Sequence, residues 1–293
     1  LTMQFWQSTA FNDPTELPAI ARCAEENGFD GILLSEHLFV PAEYEPAYLY
    51  TENGRPDFDT NTPFPDPWVT IATLAAQTTK IRFCTLIYIL PLHHPLEVAK
   101  SLATLALYSD NRVTLGVGAG WMKEEFEALG VDFKSRGKRF DESIEVMRKV
   151  WQGGIVEHHG EHFDFPGLAQ LPAPTKPIPI SIGGASKVAL RRAARVGDGW
   201  LGAGNTVEEA EEILRSLTQL RKEAGRENES FEAMVPLTVP PDRDSLKRIA
   251  DLGAAATCNY PFVYTCGPEA TLQQKLDMMK QYGDNVIAHM KDL

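Results

Sequence analysis

The sequence predicts an α/β protein built as a (β/α)8 TIM barrel that carries excursion loops. Three observations lead there. Apolar, strand-like runs alternate with helix-periodic segments along the chain. Eight such runs can be counted, where an open, doubly wound sheet more often shows about five or six. The 293 residues, 43% of them apolar, suffice for one closed barrel of roughly 250 residues plus insertions. Residues 1–293 therefore read as one barrel domain, with a long loop at about 38–66 and a hairpin excursion at about 155–165.

The elements follow in order. Met3–Gln7 is the first strand, and Asp13-Pro14 marks a helix start ahead of Leu17, Ile20, Ala21 and Ala24. Gly31–His37 and Ile81–Leu90 are the second and third strands. Pro95 opens the next helix, whose apolar positions are Val98, Leu102 and Leu105. Val113–Gly118 is the fourth strand, leading through a short acidic helix to an amphipathic helix ending at Trp151. Ile178–Gly183, Gly199–Ala203, Phe231–Val239 and Ala254–Pro261 complete the set. Thr206 with Glu209 forms a capping box ahead of Ala210, Ile213, Leu217 and Leu220. The last helix opens with Thr271 and Gln274 and carries Leu272, Leu276 and Met279. In such a barrel the chemistry belongs at the C-terminal ends of the strands.

Charge and composition narrow the class. Lys and Arg number 28 against 40 Asp and Glu, a net charge of -12, so a nucleic-acid-binding surface is not expected. Cys23, Cys84, Cys258 and Cys266 lack CxxC spacing, which argues against structural zinc or a disulfide framework and for a reducing, cytoplasmic setting. No apolar run approaches about 18 residues, and no secretory signal pattern opens the chain, so neither a membrane span nor membrane attachment is expected. The expected partner is a small-molecule substrate.

Glycine spacing excludes one familiar cofactor fold. Gly116, Gly118 and Gly120 follow the apolar strand as GxGxG, whereas the dinucleotide turn needs GxGxxG and an acid about 20 residues on. The glycines bare the backbone where a flat ligand could lie. The loop Leu38–Asp66, with Tyr44, Tyr48, Tyr50, Phe58 and Phe64, reads as a lid over an apolar substrate, the alternative being a plain surface excursion. Ile155–Phe165 reads as a hairpin turning at Gly160. Its His158, His159 and His162 lack a ligand set on one rigid face, so no metal is assigned.

At this point the chain resembles a family. LGVGAGWMKEEFEALG, RGKRFDESIEVMRKVW, PIPISIGGASKVALRRAARVGDGW and the upstream ILPLHHPLEVAKSLATL resemble the luciferase-like monooxygenase superfamily. The narrower likeness is to its actinobacterial branch of coenzyme F420-dependent oxidoreductases. The blocks run in order from about Leu33 to Trp200. The resemblance implies a (β/α)8 barrel binding F420 or, alternatively, reduced FMN, with the tricyclic ring at the C-terminal mouth.

It also implies site residues. Gly183, Gly184, Ala185 and Ser186 leave the fifth strand for a helix, where backbone N–H groups can hold a phosphate. The competing reading is a tight turn capped by Ser186. Gly202, Ala203 and Asn205 would wall the same phosphate or ribityl chain, and Gly118 borders the ring. Glu36 and His37 match an acidic–histidine pair beside the reactive ring, with His37 as the catalytic residue that donates, positions or moves a proton. Glu36 would not orient that imidazole, since adjacent side chains diverge. Relatives often carry a non-proline cis peptide that aligns with Leu86-Ile87, where Leu86 and Ile87 would form a cofactor-binding bulge against the back of the ring. Thr85 could bond the ring edge or be an ordinary buried threonine. Trp121 stands where sugar-phosphate dehydrogenases of the superfamily place a glutamate, so it offers stacking rather than proton transfer, and the sugar-phosphate reaction is not expected. Glu124 and Glu125 read as solvent-facing acids at a helix start, and Arg136 and Arg139 as surface ion-pair partners, the alternative being contact with a cofactor tail.

The function expected from this reading is hydride transfer between F420 and a small organic substrate. The alternative is an FMN-dependent two-component monooxygenase, which would need a flavin reductase as partner; a homodimer would match relatives. A flavin-binding protein without chemistry is a third reading.

Overall fold

A computed structural model describes residues 2–290. Its strands are β1 (Gln4–Ser8), β2 (Gly31–Leu34), β3 (Arg82–Thr85), β4 (Tyr88–Ile89), β5 (Val113–Gly118), β6 (Ile155–His159), β7 (Asp164–Ala169), β8 (Ile180–Gly183), β9 (Gly199–Leu201), β10 (Glu232–Met234) and β11 (Ala254–Asn259). Nine of them form one parallel sheet in the order β3-β2-β1-β11-β10-β9-β8-β5-β4, and a further β3–β5 pairing closes it. Because β3 and β4 both pair with β5, they are halves of one stave, and nine strands make an eight-staved (β/α)8 barrel. The cis peptide Leu86-Ile87 lies between the halves. β6 and β7 form a separate antiparallel hairpin, which extends to Ala169.

Parallel staves with helices outside are buried on both faces, and the sequence supplies the apolar runs this demands. Ile32, Phe83, Leu115 and Ile180 face the helices and pack with Ile20, Ile71, Leu102, Ile144, Leu217 and Ile249 in one continuous core. Each such side chain contributes about 1.5–3 kcal/mol of transfer free energy. Helix starts are fixed locally. Thr206 and Glu209, and likewise Thr271 and Gln274, form reciprocal capping boxes, while Asp66 accepts from Val69 N ahead of Pro67.

The barrel interior holds Trp6, Leu33, Cys84, Leu201, Met234, Ala256 and Cys258. The indole fits because β2 begins with Gly31, where a Cβ would fall 2.1 Å from the Trp6 ring. Below it, Arg82 lies 3.1 Å from Glu232 and 5.4 Å over the Trp6 ring, closing the N-terminal end.

Six of the eight strands are shorter than the sequence predicted, and three of them differ most. The second ends at Leu34, before His37. The third is broken at Leu86-Ile87. The seventh stops at Met234, because Pro236 has no N–H to continue the ladder; beyond it Val235 N still donates to Ala256 O, and the chain meets Asn205 through the Asn205–Leu237 bridge. Among the described residues no helix is long and apolar enough to cross a membrane.

Candidate active site

The segments that leave the C-terminal ends of the staves build one polar centre beneath an aromatic cover. His37 lies just past β2 and is 9% exposed. Its Nδ1 is 2.9 Å from Oε2 of Glu125, which is fully buried. The other carboxylate oxygen of Glu125 accepts from the backbone N–H of Leu38, 3.2 Å away. Nε2 of His37 has no hydrogen-bond partner among the described residues. An ionised carboxylate can only accept, so an ionised Glu125 puts the hydrogen on Nδ1 and leaves Nε2 as the ring atom for chemistry.

Glu125 corrects the sequence reading, which placed it in solvent. The short helix Lys123–Ala128 buries Glu125 and Phe126, and Met122 before it is buried as well. Met122, Glu125 and Phe126 therefore share one face at i, i+3 and i+4, a spacing that could have revealed the buried acid. Glu124 is half-buried and accepts from Glu45 N at 2.8 Å, gripping the long loop at a second point.

That loop, from Leu38 to Asp66, contains turns but no helix or strand. Its rings lie over the histidine: Phe58 at 4.8 Å and Phe64 at 5.0 Å between centroids, with Trp121 at 6.3 Å from the other side. Tyr44 and Tyr48 meet Trp121 edge to face at 5.9 and 5.1 Å. Burial, with the nearby Tyr50 and Asp57, pushes the Tyr48 hydroxyl up to about 12, so it stays neutral across physiological pH. Phe11, from the loop after β1, packs on Phe58 and Phe64. It holds a φ of 63°, a left-handed conformation that bulky residues rarely adopt. The Tyr264 hydroxyl donates to Asp57 at 2.9 Å and ties the loop to the segment after β11, two staves from β2.

The structure gives Glu36 and Thr85 tasks other than contacting a ring. Glu36 turns away from His37, accepting from Ile89 N at 2.6 Å and from His93 Nε2 at 2.7 Å. His93 in turn stacks on Tyr88. Glu36 thus braces the resumed third stave. The Thr85 hydroxyl donates to Gly116 O at 2.7 Å and accepts from Gly116 N at 3.0 Å, committing it to the neighbouring stave. Ile87 projects between Gly118 and Gly183: a Cβ on Gly118 would lie 1.9 Å from its Cδ1, and one on Gly183 would lie 2.7 Å from its Cγ2. Both glycines therefore make room for a side chain of the protein itself. Leu86 and Ile87 pack against the barrel-interior cluster.

Across the mouth, Ala185 and Ser186 are exposed at the start of the helix Lys187–Val196. Ser186 caps that helix by accepting from Ala189 N, and Gly184 sits at a φ of 107°. Turn, cap and exposed helix start coexist here, so the two sequence readings are compatible. Ala203 is exposed and Gly202 buried. Asn205 is buried with its Oδ1 unpartnered, as is the hydroxyl of Tyr260. A Cβ on Gly202 would approach that Oδ1 at 2.9 Å, and one on Gly204 the Tyr260 hydroxyl at 2.6 Å.

Arg136 and Arg139 also depart from expectation. Arg136 donates to the carbonyls of Gly120 and Phe133 and lies 3.7 Å over the Phe133 ring, while Arg139 donates to Pro91 O. Burial lowers both guanidinium values. They staple the loops around the mouth instead of pairing with surface acids. In the hairpin, His158 lies 3.1 Å from Glu142, and Glu142 also accepts from His162 N and Phe163 N. His159 pairs with Asp164.

An eight-staved barrel with a buried histidine–carboxylate pair at its C-terminal mouth, under a loop cover, has the arrangement of barrel enzymes. Comparison with known sequences gives the family. The profile of the luciferase-like monooxygenases matches residues 2–284, and the chain belongs to that family. An uncharacterized protein of Mycobacterium tuberculosis is 38% identical over 288 residues, covering 98% of this chain and 99% of its own. An F420-dependent glucose-6-phosphate dehydrogenase of Gordonia bronchialis is 28% identical over 252 residues, covering 83% and 70%. Among solved structures, the monooxygenase RslO1 from Streptomyces bottropensis superposes with a TM-score of 0.76 at 19% identity, over 98% of this chain and 99% of that one. The coenzyme F420-dependent tetrahydromethanopterin reductase from Methanopyrus kandleri gives 0.76 at 18%, over 99% and 100%. These two likenesses show the shared fold.

Proposed function

We propose that the protein is an F420-dependent oxidoreductase that transfers a hydride between the deazaflavin and a small organic substrate. The observation that carries the reading is the His37–Glu125 pair, buried at the barrel mouth with Nε2 left for chemistry, in a chain of the luciferase-like family. The F420-dependent relative from Gordonia bronchialis supports the choice of cofactor.

The residues present fit such a group. The helix start at Ser186, with exposed Ala185, offers backbone donors and a positive dipole end to a phosphate. The orphaned Oδ1 of Asn205 and the Tyr260 hydroxyl are polar atoms in want of partners, suited to the hydroxyls of a polyol chain. Bound there, the deazaflavin would accept or donate the hydride. His37 would hold or move the substrate proton at Nε2, and the aromatic cover would exclude water from the centre. The role of Trp121 in this reading is to wall the substrate space. Its indole cannot transfer a proton, which favours substrates other than sugar phosphates.

The test is turnover of F420, and of its reduced form, against panels of small alcohols, carbonyl compounds and enones. We expect turnover with at least one class, lost by about a hundredfold or more in His37→Ala, while the variant still binds F420. Undiminished turnover in His37→Ala would remove the histidine from the reaction. Oxygen consumption with reduced FMN would move the assignment to a two-component monooxygenase.

A further inference from the structure

We propose that Glu125 is a positioning residue that fixes His37 in its Nδ1–H tautomer and couples the orientation of that imidazole to closure of the loop Leu38–Asp66. The role it gives His37 rests on the function proposed above, but the contacts and the test do not require any cofactor.

The case begins with where the carboxylate is. Glu125 is fully buried, in a chain whose other helix-start acids mostly face solvent. A buried carboxylate persists only where its oxygens are hydrogen-bonded, and Glu125 spends them on two different tasks. Oε2 faces His37 Nδ1 at 2.9 Å and Oε1 receives the N–H of Leu38 at 3.2 Å. Leu38 is the first residue of the loop, so one side chain grips both the imidazole and the hinge of its cover. Because the two oxygens belong to one rigid group, withdrawing the Leu38 N–H from Oε1 removes one of the two bonds that fix the carboxylate plane and so loosens its hold on the ring. The loop closes the same circuit from its far end, where Phe58 and Phe64 pack on His37.

The rings packed on the imidazole are Phe58, Phe64 and Trp121, and none of them offers an acceptor to Nδ1. Glu36 faces the opposite way, onto Ile89 and His93. Glu125 is therefore the acid that selects the tautomer. With the hydrogen held on Nδ1, the neutral imidazole presents a lone pair at Nε2 in the closed state; with the loop open, neither tautomer is imposed.

The experiment uses the full chain without ligand, about two pH units above the ordinary imidazole value of roughly 6.5. Nitrogen NMR of the His37 ring reports the tautomer, and amide hydrogen exchange at Leu38 reports the hinge. Wild type is expected to show a protonated Nδ1 and slow exchange at Leu38. Glu125→Ala is expected to admit the Nε2–H form and to speed Leu38 exchange about tenfold or more. Glu125→Gln, whose amide oxygen can still accept from Nδ1, should restore the tautomer and leave exchange roughly threefold to tenfold fast. Glu124→Gln, whose carboxylate accepts from Glu45 N and not from His37 or Leu38, should leave the ring unchanged.

A wild-type ring protonated on Nε2 would overturn the proposal. So would a Glu125→Ala ring indistinguishable from wild type, even with faster exchange, since that would make Glu125 a structural acceptor only. If Glu125→Ala does not fold, unchanged Leu38 exchange in Glu125→Gln overturns it equally.

Discussion

Replacing Gly118 by alanine places a methyl carbon 1.9 Å from Cδ1 of Ile87, with Cγ1 next at 3.2 Å. Retreat is restricted, because the Cγ2 side of the same residue rests on Gly183, where a Cβ would come within 2.7 Å. Overpacking of this kind costs about 1–3 kcal/mol. At about 2–4 °C per kcal/mol for a chain near this size, Gly118→Ala should lower Tm by roughly 2–12 °C. Ile87→Val removes Cδ1 and alone should cost about 0.5–1.5 kcal/mol. Combined with Gly118→Ala it relieves the 1.9 Å clash and leaves Cγ1 at 3.2 Å, a tight contact that a shift of a few tenths of an ångström relaxes, so the double variant should lie close to Ile87→Val. Gly183→Ala should not be rescued by Ile87→Val, because Cγ2 remains. The assay is thermal and denaturant unfolding of the four single and double combinations for each glycine. Additivity within about 0.5 kcal/mol for the Gly118–Ile87 pair would refute the claim that this glycine exists to admit Ile87. Rescue of both glycines alike would refute the assignment of methyl groups.

Further outcomes follow from the same contacts. Glu25 accepts from the N–H groups of Thr79, Lys80 and Ile81 and from the Thr79 hydroxyl; burial opposes ionisation, but these bonds outweigh it and bring its carboxyl down to about 2. Its folded value lies below the ordinary 4.5, so its stabilisation, about 1–2 kcal/mol once solvent screening is allowed for, is complete above that pH and lost between there and about pH 2. Glu25→Gln should flatten this stretch of an acid-unfolding curve, and an unchanged curve would contradict it. Burial pushes the Cys84 and Cys258 thiols up to about 12, whereas Cys23 and Cys266 are partly exposed. In native protein an alkylating reagent at pH 8 should therefore spare Cys84 and Cys258; fast labelling of either, read by mass spectrometry, would mean the barrel interior opens. Trp121→Ala removes the partner of Tyr44 and Tyr48, and limited proteolysis between Leu38 and Asp66 should accelerate several-fold; an unchanged rate would show that the indole does not hold the loop.

The barrel was legible because its signals are local. Apolar runs, a Pro or Asp at helix starts, and the Thr206–Glu209 and Thr271–Gln274 boxes depend on residues a few positions apart. The site was legible only in part, for the opposite reason. Glu125 looks like any acid favouring a helix dipole until a loop that begins some 87 positions earlier in the chain folds over it. Thr85 and Gly116 meet across two staves, so the sequence left the threonine open between ring contact and strand contact. Glycines at 118 and 183 announce that a side chain is unwanted, but not whose atoms need the space, and Ile87 supplies them from a third stave. His37 was found through family likeness, since an isolated histidine past a strand end carries no distinguishing pattern.

The measurement closest to the central claim is a calorimetric titration of the ligand-free protein with F420 and with FMN, each oxidised and reduced. It should be run beside Ala185→Asp, which puts a negative charge at the exposed start of the Lys187–Val196 helix and leaves the packing around Ile87 untouched. The account predicts that F420 binds more tightly than FMN and that Ala185→Asp weakens it about tenfold, which corresponds to about 1.4 kcal/mol. Binding of neither cofactor, or F420 binding indifferent to Ala185→Asp, would contradict the placement of a deazaflavin phosphate at this barrel mouth.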